Sequence, residues 1–223
     1  ADNLTFTALS KAEVGDFVSL GRYEQDGDID DGPEPITWQV IERKTDSLVL
    51  LSRYGLDSQP FSTSLSGGAW DVSDIRSWLN SAFCDAAFTE TERARLLASS
   101  FLPSPNPRYA PDTGSATSDL VRLASAEEAA GLDSLVCKAT EWAKANGVTA
   151  YSSRECEWWL STPGCSCRRA MSITMQGSAS SFGSLQDNES CAARPVIEVS
   201  APHRELPIAQ PEEPAEGEMA LDL

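Results

Sequence analysis

The sequence predicts an α+β fold, in which strand patterns flank a helical middle. Residues 36–40 alternate apolar and polar side chains, which is the period of a half-buried strand. Ile75, Trp78 and Phe83 then recur at the spacing of one helix face. Strand patterns return after Tyr151. Because 41% of the 223 residues are hydrophobic, the chain can bury a single core.

The first strands are expected near the amino terminus. Residues 17–20 form a short apolar strand pattern that ends at Gly21, and residues 36–40 form the second strand. Ser47–Ser52 is rich in Val and Leu and is expected to pair with the second strand, across a turn at residues 44–46.

The helices of the middle segment are predicted from their capping residues. Ser73 or Asp71 can cap the first helix. The sequences TETE and SAEE, which start at Thr89 and Ser125, each fit a capping box for a further short helix. A fourth helix is expected at residues 140–146, because a glycine follows it.

The later part of the chain is predicted as strands with long loops. Residues 101–118 contain four Pro, and a loop of that length is usually functional or held by contacts. Further strands are expected at residues 158–160, 170–175 and 195–199. The Gly/Ser tract at residues 176–184 is expected to turn between two of them.

The charge argues against several classes of partner. The 34 acidic residues outnumber the 17 basic ones, which gives a formal net charge of −17. Nucleic acids and anionic membranes are both bound by clustered Lys and Arg, so neither is expected as a partner. The sequence also lacks a run of about 18 apolar residues, so no transmembrane segment is expected.

The acidic residues are concentrated in two segments. Residues 24–34 contain six acids and no base, and the Pro/Glu-rich residues 201–223 contain six acids and one Arg. We therefore divide the chain into a lead-in at residues 1–13, a domain at residues 14–200 and an acidic tail at residues 201–223. The tail is expected to be disordered or a linker.

The cysteines favour export. Six Cys form an even count, which suits disulfides in an oxidising compartment, although the sequence does not choose their pairing. The chain starts at Ala1 without Met, as expected of a chain matured by signal cleavage or of a trimmed one. We therefore expect a secreted or cell-surface protein.

One acidic segment is a candidate calcium site. Asp26, Asp28 and Asp30 alternate in the way that carboxylate ligands alternate at the start of a calcium loop. The EF-hand pattern is incomplete, because Asp31 stands where it needs Gly and Thr37 where it needs Glu. The competing interpretation is a solvated hairpin loop. No cofactor other than calcium is expected.

Nucleophilic and redox chemistry have few candidate residues. The single His, His203, lies in the tail, so a catalytic triad is not expected. Cys165, Cys167 and Cys191 could form disulfides, remain buried thiols or build a metal or redox centre. The CxC spacing lacks the two-residue gap of zinc knuckles and thioredoxin-like motifs, which argues against the last of these.

The late loops carry the candidate ligand-binding residues. Trp158 and Trp159 are adjacent on a predicted strand, so one ring should face outward, where it either stacks on a ligand or is covered by a loop. The basic pair Arg168–Arg169 either neutralises nearby carboxylates or meets an anionic group of a ligand. The candidate set is Trp159, Arg168, Arg169, Met171, Gln176, Phe182 and Asn188.

Motifs along the chain resemble an uncharacterised bacterial domain family. The motifs are GxYxQ from Gly21, PIxW from Pro35, WWLxxPG from Trp158 and RPxI from Arg194. The likeness covers roughly residues 14 to 200, and the order of the motifs makes their sum more specific than any one of them.

That family is similar in fold to the C-type-lectin-like group, which includes formylglycine-generating enzymes and diversity-generating variable proteins. The resemblance implies a twisted antiparallel sheet, two principal helices and long irregular loops, with residues 164–192 as a ligand-binding face. Ser161 and Thr162 stand where the family has Arg and Ser, so no role of that Arg carries over to this chain.

Two classes of function follow from these observations. We favour a non-enzymatic binding or surface-interaction domain for a glycan, peptide or protein ligand, because long polar loops with scattered aromatics are typical of recognition surfaces. The alternative is a cysteine-dependent oxidase or metal enzyme related to formylglycine-generating enzymes, which would use two of Cys165, Cys167 and Cys191. A structural module tethered by the acidic tail is the third hypothesis.

Overall fold

Two five-stranded sheets and two smaller ones contain most of the regular structure. The computed structural model describes residues 5–202, so residues 203–223, which include His203 and all but the first two residues of the predicted tail, lie outside the described residues. The strands, in chain order, are β1 (Phe17–Tyr23), β2 (Glu34–Arg43), β3 (Ser47–Ser52), β4 (Tyr54–Gly55), β5 (Asp57–Ser58), β6 (Ser99–Phe101), β7 (Thr117–Asp119), β8 (Val121–Leu123), β9 (Cys137–Ala139), β10 (Glu155–Cys156), β11 (Trp158–Pro163), β12 (Arg169–Ile173), β13 (Ala179–Leu185), β14 (Ala192–Ala193) and β15 (Pro195–Ser200).

The sheets are mostly antiparallel. Sheet A has the order β1-β2-β3-β15-β8, and all of its neighbouring strands are antiparallel. Sheet B has the order β10-β9-β4, and sheet C the order β13-β12-β11-β14-β5. Parallel pairing occurs between β4 and β9 and between β11 and β14. The remaining strands, β6 and β7, form a two-stranded ribbon. The α+β class predicted from the sequence is thus confirmed.

The central strands are buried on both faces. Every residue of β3 is buried, although β3 was expected to form one half of a simple hairpin. Leu48 and Leu50 belong to one apolar cluster, and Val49 and Leu51 belong to a second. Because alternate side chains of a strand point to opposite faces, the two clusters lie on opposite sides of β3.

The helices are short. They are α1 (Asp74–Trp78), which continues through a π-helical turn (Leu79–Phe83) into α2 (Cys84–Ala87), and α3 (Glu90–Arg93), α4 (Ala126–Ala130) and α5 (Glu141–Ala145), with 3₁₀ turns at Leu9–Lys11 and Trp70–Val72. The predicted caps are confirmed: Ser73 caps α1, and both capping boxes are present.

The resemblance implied two principal helices, whereas the described residues contain one long helical segment and three single turns. Helix α3 is one of the single turns, and it cannot continue past Arg93 because Leu96 forms a β-bridge to Val199 of sheet A.

One predicted strand end and part of one predicted turn lie inside strands instead. β1 does not end at Gly21; it continues to Tyr23 through an irregularity between Ser19 and Arg22. The Gly/Ser tract turns only before Ala179, and the rest of it forms β13, which pairs with β12. β13 is at the edge of sheet C and is half exposed, so it needs little apolar surface and leaves no apolar pattern in the sequence.

The Pro-rich loop is held by contacts, which is one of its two expected outcomes. Asn106 is buried at the centre of these contacts. Its Nδ2 donates to the carbonyls of Pro163, Gly164 and Ser181 at 2.8, 3.1 and 2.8 Å. The loop is therefore fixed to sheet C.

Candidate functional site

A cavity of about 380 Å³ opens where sheet A meets sheet B. Arg53 lies between β3 of sheet A and β4 of sheet B, and Arg194 lies between β14 of sheet C and β15 of sheet A. Each residue stands where the chain passes from one sheet to another. Because Nε of Arg194 donates to the carbonyl of Ser52 at 2.9 Å, the two crossings lie side by side.

The cavity is lined by cations. Arg53, Lys138, Arg154 and Arg194 are four of its nine lining residues, and none of the nine is acidic. This local charge is opposite in sign to the net charge of −17 of the whole chain. A cavity with several cations and no carboxylate favours an anionic occupant.

Arg194 is the most buried of these cations, with 4% of its surface exposed. Its guanidinium carbon lies 4.6 Å from the ring centroid of Trp158, so the plane of the ring supports it. Its Nη1 has no hydrogen-bond partner among residues 5–202. A buried guanidinium donor that is left unpaired costs free energy, and an anion in the cavity would supply the missing acceptor.

Aromatic rings also hold two of the other cavity cations. The guanidinium carbon of Arg53 lies 5.0 Å from the ring centroid of Phe17 and 5.5 Å from that of Tyr54. The guanidinium carbon of Arg154 lies 5.8 Å from the ring of Tyr54. Two arginines therefore share one tyrosine ring, which limits the positions that their charges can take.

The backbone of Arg154 is strained. Its φ is +75°, and within the described chain it is the one residue other than glycine with a positive φ. An L-residue with a long side chain is uncommon in this region and costs about 1–3 kcal/mol there. A glycine at this position would fold with less strain but would leave the cavity with one cation fewer.

Sequence reasoning did not find this cavity. Its four cations are spread from residue 53 to residue 194, and they meet only through the two sheet crossings. The single local signal was the RPxI motif, which contains Arg194 and was used only for the resemblance to a family. An Arg directly before a strand of mostly apolar residues would have justified asking what neutralises its charge.

The tryptophan pair is entirely covered by protein. Trp158 and Trp159 are both 0% exposed, and their Nε1 atoms donate to the carbonyls of Leu135 and Gln59, each at 2.9 Å. The expectation that Trp159 presents a ring to a ligand is therefore wrong, and the covered alternative holds. The reason is that β11 is buried on both faces, with Trp159 in one apolar cluster and Trp158 in the other.

The other late-loop candidates do not form one surface. Met171 is 1% exposed, so its side chain is inaccessible. Arg169 lies 4.4 Å over the ring of Phe182 and donates to the carbonyl of Gly183. Gln176 lies at the opposite end of the β12–β13 hairpin, where it donates to the hydroxyl of Tyr151.

Arg168 and Asn188 are the two remaining candidates of the late loops. Arg168 is exposed. Asn188 is partly buried, and its Oδ1 accepts from the backbone N–H of Ser190 at 2.9 Å, which is a local turn contact. A ligand-binding role for the exposed members of the late-loop set stays a prediction.

The cysteines are all free thiols, so the expected disulfides are absent from residues 5–202, which include all six Cys. Cys165 is partly exposed and Cys167 exposed, whereas Cys191 is buried. Burial, followed by the charge of Glu157, raises the pKa of the Cys191 thiol. A raised pKa works against a thiolate nucleophile or metal ligand, so Cys191 is a poor member of an oxidase centre.

The acidic loop groups its carboxylates differently from the prediction. Glu24, Asp26 and Glu34 have carboxylate oxygens within 4.8 Å of one another, whereas Asp28 and Asp30 lie outside that group. The carboxylates of Asp26 and Asp28 accept backbone N–H groups two residues onward, as in a solvated turn. The calcium hypothesis stays a prediction.

The fold and the cavity define the class of this protein: an α+β domain on antiparallel sheets with a cation-lined cavity at a sheet junction. Residues 45–201 match the model of a family described as a domain of unknown function (DUF6273), and the chain belongs to that family. All four cavity cations lie in the matched segment, whereas β1 and β2 precede it and complete sheet A.

Neither a curated protein nor a solved structure matches the chain. The expected membership of an uncharacterised family is thus confirmed, and the C-type-lectin-like likeness stays a prediction. Within residues 5–202, no helix has the length and apolar character needed to cross a membrane.

Proposed function

We propose that this protein is a non-enzymatic binding domain, and that its ligand places an anionic oxygen group in the cation-lined cavity. The ligand class is a carboxylate, sulfate or phosphate group carried by a glycan or a peptide. The observation that carries the proposal is the buried Nη1 of Arg194, which lacks an acceptor beside a cavity with four cations and no acid. Guanidinium groups bind such oxyanions through two parallel hydrogen bonds.

The size of the cavity fits one such group with its immediate substituents. A volume of about 380 Å³ is at the lower end of the range for small-molecule sites, so the remainder of a glycan or peptide would lie outside it. The hairpin turn beside the cavity offers a place for that remainder. A Cβ atom on Gly177 would lie 2.9 Å from Val136, which lines the cavity, so Gln176 stands near the rim.

The test is a titration of the full chain with inorganic phosphate, sulfate and acetate, in which binding is measured by the shifts of amide signals in ¹H–¹⁵N NMR spectra. We expect saturable shifts of amides around the cavity, and a weaker response to chloride at equal ionic strength. Arg194→Met should weaken binding about 10-fold or more, because a charge-assisted hydrogen bond to a buried group contributes about 1.5–3 kcal/mol.

Because Arg194 also packs on Trp158, its replacement can disturb folding. Lys138→Gln provides the second variant, since Lys138 is exposed and its loss removes charge without a cavity in the core. Arg168→Gln is the matched control, an exposed charge outside the cavity. Equal weakening in Lys138→Gln and Arg168→Gln, or no saturable shift near the cavity, would overturn the proposal.

A further inference from the structure

Two buried thiols lie behind the cation-lined cavity. Cys137 in β9 and Cys156 in β10 are partners in the antiparallel register, and each is at most 1% exposed. A Cβ atom on Gly55 would lie 3.8 Å from the sulfur of Cys137 and 3.4 Å from that of Cys156. Both sulfurs therefore point to the same side of sheet B, and direct partners in an antiparallel pair have the Cα separation that a disulfide needs.

The same thiols lie beside the chain segment that leads into Arg194, because the Cβ position of Gly55 that approaches both sulfurs is also 2.5 Å from the Cβ atom of Ala192, two residues before Arg194. Burial raises the pKa of the Cys137 thiol, but the hydrogen bond from Cys156, the charge of Arg194 and the backbone N–H of Gly55 together lower it below its ordinary value. The hydrogen bond to Cys137 and burial raise the pKa of Cys156. In this pair Cys137 is therefore the thiol that ionises first, and its negative charge faces the guanidinium that also serves the cavity.

We propose that Cys137 and Cys156 are a reversible redox site, and that formation of their disulfide strengthens anion binding in the cavity. The first half stands on the cross-strand geometry of the two thiols, and the second half rests on the proposed function. Neither cysteine belongs to the late set of Cys165, Cys167 and Cys191 that the sequence singled out.

The oxidant is a low-molecular-weight disulfide. The sulfur of Cys137 attacks one sulfur of this disulfide, whose S–S bond breaks and releases one thiolate. The sulfur of Cys156 then attacks Cys137 in the mixed disulfide and expels the second thiolate. The two protons lost by the protein thiols end on the two released thiols, so the protein is oxidised by two electrons and the small disulfide is reduced.

Access to the buried pair requires a local opening. β10 has only two residues and lies at the edge of sheet B, and exposed residues 151–153 precede it. Short edge strands with few contacts open at a free-energy cost below that of global unfolding. Displacement of β10 would bring Cys156 to solvent and uncover Cys137 on β9.

The coupling to the cavity is electrostatic. In the reduced protein, ionisation of Cys137 places a negative charge near Arg194 and offsets part of the charge of its guanidinium. The disulfide carries no charge, so Arg194 then acts on the cavity with its full positive charge. By linkage, an anion that binds the oxidised protein more tightly must stabilise the disulfide by the same factor.

The first experiment maps the disulfide in the full chain with Cys165→Ser and Cys167→Ser, which remove the accessible thiols. After equilibration with reduced and oxidised glutathione, peptide mapping by mass spectrometry should find Cys137 linked to Cys156. Cys156→Ala should abolish this product, whereas Cys84→Ala, at another buried thiol, should retain it. Absence of the linked peptide, or a link to Cys191 instead, would overturn the inference.

The second experiment measures phosphate affinity of the oxidised and reduced forms by the same NMR titration. We expect the oxidised form to bind about fivefold more tightly, within the usual range of coupling between sites. Saturating phosphate should correspondingly lower the midpoint potential of the pair by about 20 mV, since a tenfold change corresponds to about 30 mV for two electrons.

The outcomes separate the two proposals. Equal affinity of both forms, with the disulfide mapped, would contradict the coupling while the binding function stands. Absence of phosphate binding in both forms would contradict the proposed function, and the peptide map would still decide whether the redox site exists.

Discussion

Gly21 occupies a point of β1 where a side chain does not fit. Its φ is +72°, and a Cβ atom would lie 2.6 Å from the carbonyl oxygen of Ala87 and 2.7 Å from the ring of Phe88. Its N–H donates to Oε1 of Glu92 at 3.1 Å. The glycine of the GxYxQ motif is therefore required by close packing of helix α2 on sheet A, and not because the strand ends there.

Gly21→Ala should lower the free energy of unfolding by about 2–4 kcal/mol, because it combines a strained φ with a backbone clash. Gly27→Ala is the matched control: Gly27 has φ +88° with no atom within 4 Å of an added Cβ. The control should lose only about 1–2 kcal/mol from the strained φ. Urea denaturation of both variants measures the difference, and equal losses would show that the contact with Ala87 and Phe88 is unimportant.

Arg154→Gly should raise stability and weaken anion binding at the same time. Glycine relieves the positive φ, which we expect to add about 1 kcal/mol to the free energy of unfolding. The loss of one cavity cation should weaken phosphate binding several-fold. Lys138→Gln is the comparison, because it should weaken binding without the gain in stability. Thermal unfolding and NMR titration of the two variants provide the readouts, and a less stable Arg154→Gly would contradict the assignment of strain to this residue.

Helix caps, which depend on nearby residues, could be predicted from the sequence. Strands and helix ends that depend on pairing with distant segments could not. The caps at Ser73, Thr89 and Ser125 were found because each depends on a contact between residues three positions apart. β13 was missed because its sequence shows no alternation of apolar and polar residues, so its pairing with β12 and not its own pattern makes it a strand. The helix after Thr89 ends at Arg93, because Leu96 forms a β-bridge to Val199 of sheet A.

Asn106→Ala should release the Pro-rich loop from sheet C. The substitution leaves three carbonyl oxygens without the Nδ2 donor, so we expect a loss of about 2–4 kcal/mol in the free energy of unfolding. Hydrogen exchange should rise at residues 102–116 before it rises elsewhere. Asn188→Ala is the control, because it removes only contacts to residues two and three positions onward, Ser190 and Cys191, and it should cost less than Asn106→Ala, about 1 kcal/mol. Unchanged exchange in the loop would show that other contacts hold it.

For the whole molecule, the fold class followed from the order of strand and helix patterns, because each pattern reflects local burial. The cation-lined cavity could not be predicted from these patterns. Arg53 and Arg194 become neighbours only where the chain changes sheets, and periodicity contains no information about such crossings. Likewise, the two tryptophans were expected to differ in exposure because a single half-buried sheet was assumed. In fact, apolar clusters cover both faces of β11.

The net charge of −17 is distributed so that individual carboxylates act on stability in opposite directions. Burial raises the pKa of Glu198, but hydrogen bonds from Ser47 and Lys44 lower it below its ordinary value. Partial desolvation, followed by the carboxylates of Asp26, Asp28 and Glu34, raises the pKa of Asp31. Ionised Glu198 therefore stabilises the folded state, whereas ionised Asp31 destabilises it.

Glu198→Gln and Asp31→Asn should consequently have opposite effects at pH 7 that both vanish in acid. Glu198→Gln removes a stabilisation that is present above the ordinary Glu pKa of about 4.3 and is lost as pH falls through the lowered folded pKa. Its cost at pH 7 should be about 0.5–1 kcal/mol, because the side chain is 12% exposed and its partner Lys44 is more exposed.

Asp31→Asn removes a repulsion that is present above the raised folded pKa, so it should be more stable than the unmodified chain at pH 7. Protonation removes that repulsion as pH falls toward the ordinary Asp pKa of about 3.9, and the gain then disappears. Urea denaturation at pH 7, 5 and 3 tests both variants, and high salt should shrink the Asp31 effect more because its loop is exposed. If Asp31→Asn were less stable than the unmodified chain at pH 7, the carboxylates of the acidic loop would be held by favourable contacts and would not repel one another. If Glu198→Gln were more stable, the contacts of Glu198 with Ser47 and Lys44 would not stabilise the fold.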